Sequence, residues 1–159
     1  MSAASACVGG SALVLAAFVL DMVLGSRITA WGIRPDITLA ALAPLAMAVG
    51  AGRAAPFGLL AGVVQGAFLS PALGSMAVSR TISAWAVGLL EARFYREHMV
   101  VTAAAGFLAA VLADASFYAF APQERPGLYA ARALGRAVYT MLLAMPFAVV
   151  VRRLFPRRP

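Results

Sequence analysis

Four ionisable residues, Asp21, Arg80, Asp114 and Arg136, stand inside long apolar runs of a 159-residue chain. A charge held in hydrocarbon costs a few kcal/mol unless it is paired or reached by water. Two acids and two arginines at a similar depth therefore predict ion pairs across helices, with Arg80 reaching Asp21 or Asp114. Such pairs either lock a bundle together or line a polar cavity open to the outside, as in a solute-binding protein. Gln65 is the lone polar residue of its segment and reads as a hydrogen-bonding group between helices, worth about 1 kcal/mol or less. Catalytic groups are scarce: there is no GxSxG, HExxH or P-loop, one histidine (His98) and one cysteine (Cys7). That inventory offers neither a nucleophile with its base nor a metal ligand set, and it predicts a protein that is not an enzyme and carries no cofactor.

The elements that must position these groups follow from composition. Hydrophobic residues make up 63% of the chain and charged residues 12%, which places it among membrane proteins. All thirteen basic residues are arginine, against six acids, for a net charge of +7. They are dispersed between charge-free stretches, whereas reading phosphates needs them gathered on one soluble face, so a nucleic-acid partner is not expected. Six segments are long enough to be membrane helices, at 8–25, 37–52, 54–70, 74–90, 99–120 and 133–154. The N-terminal run lacks a charged leader and reads as an uncleaved first helix. The whole chain, 1–159, is one domain.

Connections are short. Gly50, Gly52, Arg53 and Pro56 break the second segment from the third, EARFYREH forms a polar turn, and APQERPG is the clearest exposed loop. An even number of spans puts both termini on one side. The arginines of the tail RRLFPRRP, with Arg53, Arg93 and Arg96, make that side cytoplasmic and leave the four ionisable residues in the outer half. Pro44 and Pro146 fall inside helices two and six. Trp31, Phe94, Tyr95, Tyr118, Tyr129 and Phe155 lie near helix ends as interfacial aromatics.

The stretch 34–88 is the most distinctive. Arg34, Pro35 and Asp36 enter helix two as an outer-surface cap. Gly58, Gly62 and Gly66 form a GxxxGxxxG ridge on helix three, where another backbone can approach closely, most economically from within the bundle. Leu73 and Gly74 then open helix four in SPALGSMAVSRTISAWAVG. This order resembles the rod shape-determining membrane protein MreD family, in which an aspartate often follows the ridge where GVVQGAF has Gln65.

What the resemblance implies is an all-α integral protein of the bacterial inner membrane, a compact bundle of six transmembrane helices similar to the S components of energy-coupling-factor transporters. It would act as a non-enzymatic scaffold of the elongation machinery, with both termini cytoplasmic. Its implied partners are the MreC transmembrane helix and, indirectly, MreB, RodA and a class B penicillin-binding transpeptidase. The alternative is a solute-binding S component that takes a vitamin on Asp21, Arg80, Asp114 and Arg136. A flippase for an anionic lipid would need an arginine-lined path, for which only Arg80 and Arg136 are placed.

Overall fold

The helix that looks weakest in the sequence sits at the centre of the computed structural model. The structure describes residues 3–29, 32–69, 72–90, 99–122 and 126–155. Six helices follow one another: α1 (Ala3–Leu24), α2 (Ile37–Val49), α3 (Ala51–Leu69), α4 (Leu73–Leu89), α5 (Met99–Phe120) and α6 (Pro126–Leu154). With 13 residues, α2 is the shortest, about 20 Å long. Its sequence, ITLAALAPLAMAV, has no polar face, so every side must be covered. Each residue from Ile37 to Met47 is buried, Pro44 among them, and the five other helices all touch α2. Around it run α1, α3, α4, α5 and α6 in that order, each in contact with the next.

The outer helices reverse the pattern of a water-soluble protein. Facing inward are small residues: Ala61 on α3, Ala77 and Ala84 on α4, Ala105, Ala109 and Ala113 on α5, Ala137, Ala144 and Ala148 on α6. Facing outward are large apolar ones, among them Val19, Leu59, Phe68, Trp85, Val100 and Leu142. Water would penalise such a surface, whereas lipid tails accept it, and small inward residues let helices approach in the absence of a hydrophobic driving force between them. Among the described residues, three helices are long and apolar enough to cross a membrane, α1 over Ala6–Leu24, α5 and α6. These features mark the chain as a membrane protein.

Helix boundaries differ from the expected ones in instructive places. A single residue, Gly50 at φ 78°, divides α2 from α3: its N–H donates to the Ala46 carbonyl at 3.0 Å and its own carbonyl accepts from Ala54 at 2.8 Å. Left-handed backbone of this kind favours glycine. The chain therefore turns before Arg53, which with Pro56 lies inside α3 rather than in the break. Similarly, α6 starts at Pro126 instead of residue 133, so the end of APQERPG is helical. Proline suits that first helical position because its missing N–H would have had no partner. Both APQERPG residues 123–125 and the turn EARFYREH lie outside the described residues, as do Trp31, Phe94 and Tyr95. Phe155, expected at an interface, is instead buried at the end of α6 beside Gly9 of α1. That contact places the start of α1 and the end of α6 at the same end of the bundle.

Candidate functional site

At the opposite end of the bundle, the polar side chains form one layer to which every helix contributes. It is built from the α3–α4 hairpin outward. A Cβ added at Gly58 would lie 2.5 Å from the Arg80 carbonyl oxygen, one at Gly62 2.5 Å from Ala77 Cα, and one at Gly66 2.9 Å from Leu73 Cα. The ridge is thus an internal interface, packed on the first half of α4 from Leu73 onward. Gly74, beside that seam, has open space around it.

With the two backbones this close, Gln65 and Arg80 meet. Arg80 Nε donates to Gln65 Oε1 at 2.8 Å, and Gln65 Nε2 donates to Asp36 Oδ1 at 3.1 Å. Arg80 Nη2 closes the ring on Asp36 Oδ2. Asp36 also accepts the Leu39 N–H at 2.8 Å, capping α2 at the end where the helix dipole favours a carboxylate. All three side chains are buried, Arg80 to 3% exposure. An amide suits the place between the other two, since it accepts from the guanidinium on one side and donates to the carboxylate on the other.

Gln65 hydrogen-bonds between helices as expected, to Arg80 and Asp36. Two other expectations are corrected. Arg80 pairs with neither Asp21 nor Asp114 but with Asp36. The Arg34, Pro35 and Asp36 segment does cap helix two, through Asp36, but not at the surface, because Pro35 and Asp36 are buried and Asp36 points into the bundle. The missed signal was a depth ruler. Gln65 lies four residues before the end of α3 and Arg80 seven after the start of α4, so an antiparallel hairpin brings them to one level within reach of the α2 N-cap.

Two further pairs complete the layer. Asp21 of α1 faces Arg34, whose Nη2 donates to the Asp21 backbone carbonyl at 2.9 Å and lies 3.8 Å from Oδ1. Asp114 of α5 accepts from Arg136 Nη1 of α6 at 3.0 Å, as expected for one of the cross-helix pairs, and the Tyr129 hydroxyl donates to the Asp114 backbone carbonyl at 3.0 Å. Among the described residues, three aspartates thus meet three arginines, and their charges cancel. A cleft of about 180 Å³ opens beside it, lined by Asp21, Arg34, Asp36, Gln65, Arg80 and Arg136 among others.

The chemistry this arrangement offers is charge compensation and hydrogen bonding. His98 lies outside the described residues, and Cys7 is exposed on α1 away from the layer. Comparison with protein-family models, with curated proteins and with solved structures gives no match for this chain.

Proposed function

We propose that the chain spans the bacterial inner membrane six times, with both termini cytoplasmic, and serves as a non-enzymatic scaffold for the elongation machinery of the kind the MreD resemblance implies. One observation carries the reading: the acid of the Arg34-Pro35-Asp36 motif turns inward and closes a ring with Gln65 and Arg80, so the buried charge binds the bundle to itself. A protein whose buried aspartates are paired internally and whose helices turn large apolar residues outward has its recognition surface in the bilayer, where those apolar faces meet other helices. The partner in this reading is the transmembrane helix of an MreC-like protein, through which MreB, RodA and a class B transpeptidase are reached. The test is co-purification from detergent-solubilised membranes of a rod-shaped bacterium, together with deletion. Recovery of the MreC-like partner and rounding of the deleted cells are expected; an isolated protein and unchanged rods would overturn the proposal.

A second reading, a substrate-binding S component, draws support from the cleft beside the layer, where Arg34 and Arg136 are each partly exposed. A vitamin retained through purification and identified by mass spectrometry would favour it.

A further inference from the structure

At the far end of the bundle from the polar layer, α1 and α3 leave a groove between them. It measures about 350 Å³ and is lined by Cys7, Ser11, Arg53, Pro56, Phe57 and Leu60, among others. Helical spacing puts Arg53, Pro56, Phe57 and Leu60 on one face of α3. Gly58 and Gly62, on the opposite face, carry the seam with α4. The buried Phe57 ring lies against Gly10 of α1 and closes the groove toward the core. Because α1 is long and apolar enough to cross a membrane and α3 turns Leu59 and Val63 outward, the opening between them faces lipid. Arg53 is the one charged residue in the lining; it is exposed, and Gly52 beside it has open space. Among the described residues no acid pairs with Arg53, since Asp21, Asp36 and Asp114 are held by other arginines in the polar layer. Residues 1–5, which precede the groove in the chain, include no acid, and Glu91 and Glu97 follow α4, the helix packed on the other side of α3. The lining therefore carries a net positive charge, and it lies at the open end of an apolar slot.

We infer that the groove seats an anionic glycerophospholipid, of the phosphatidylglycerol type. Arg53, the third residue of α3, stands at the level where that helix enters the membrane, and its guanidinium donates to the lipid phosphate. An acyl chain runs on along Pro56 and Leu60, the latter about 10 Å deeper than Arg53 along the helix axis. Charge complementarity selects this occupant among lipids: a zwitterionic head offers the same phosphate but brings an ammonium group, for which the lining has no carboxylate. The inference rests on the membrane placement of α1 and α3. It depends neither on a partner of the proposed scaffold nor on which side of the membrane is cytoplasmic.

The experiment is native mass spectrometry of the full-length protein in detergent, titrated separately with phosphatidylglycerol, phosphatidylethanolamine and phosphatidylcholine of equal chain length. The attraction of one arginine for an anionic headgroup should make the wild type bind phosphatidylglycerol about fivefold more tightly than the other two. Arg53→Gln should erase that preference, and Arg53→Lys should keep most of it. Arg132→Gln, which removes an equal charge from α6 at the polar-layer end, should change nothing. Ser11→Trp, which narrows the groove and keeps every charge, should weaken all three lipids. Equal affinity of the wild type for the three lipids, a preference that survives in Arg53→Gln, or one lost equally in Arg132→Gln would overturn the inference. So would unchanged binding in Ser11→Trp with unfolding like the wild type's, or a wild-type dimer that Ser11→Trp separates and phosphatidylglycerol does not, which would seat a second copy in the groove.

Discussion

Arg80 and Arg136 both answer a buried aspartate, yet they sit in two different regimes. Arg80 is enclosed at the junction of α2, α3 and α4, with Gln65 and Asp36 both accepting from its guanidinium. Arg136 holds Asp114 through one nitrogen at 3.0 Å and is one-third exposed, beside a groove that Asp114 lines. The first pair is enclosed; the second is partly open. The difference comes from what lies alongside. Three glycines bring α4 against α3, so Arg80 has a third polar group within reach, whereas between α5 and α6 the larger Tyr118, Tyr129 and Leu134 hold a space open.

This contrast can be broken, first and most severely, at Arg80. Arg80→Ala leaves Asp36 buried without its cation and Gln65 without its donor, and should cost about 3–5 kcal/mol, read as detergent-phase thermal or denaturant unfolding. Adding Asp36→Asn should recover part of the loss, since two neutral amides can share what remains; absence of any recovery would mean that the ring is not the unit lost. Next in size is the seam that makes the ring possible. Gly62→Val places a branched side chain against the Ala77 backbone and should destabilise by about 1–3 kcal/mol or more, with Arg80→Ala adding less in that background than in the wild type.

Gln65→Glu sharpens the role of the amide. It keeps an acceptor for Arg80 but removes the donor to Asp36 and sets a second acid beside it, for a loss of about 1–3 kcal/mol that Gln65→Leu should not exceed if the charge conflict dominates. Smallest is Arg34→Ala. Its side chain is 39% exposed and lies 3.8 Å from Asp21 Oδ1, but its loss also removes a 2.9 Å bond to the Asp21 carbonyl and uncovers a buried carboxylate, so the expected loss is about 1–2 kcal/mol. A loss as large as that of Arg80→Ala would erase the distinction between enclosed and open pairs.

Much of this was legible in the order of residues. Six helices follow from six apolar runs, the close approach on helix three from the GxxxGxxxG spacing, and ion pairing across helices from two acids and two arginines at similar depth. Local chemistry determines such features, because helix formation and close approach depend on the residues of one segment and its neighbour. The same locality explains the misplaced break at Arg53: which glycine adopts positive φ depends on how α2 and α3 pack, and Gly50 and Gly52 are equally permissive in isolation.

Only the tertiary structure decided that α2 is the hub and that Asp36 belongs to Arg80. A motif at a helix entry reads as surface when helices are taken one at a time. Enclosing a 13-residue helix on every side drew its N-cap inward, and a carboxylate buried there needed a cation from another helix. The chain itself supplied charges of both signs in equal number at one depth. Which acid each arginine would meet was set by helix order around α2, a long-range property that no segment carries alone.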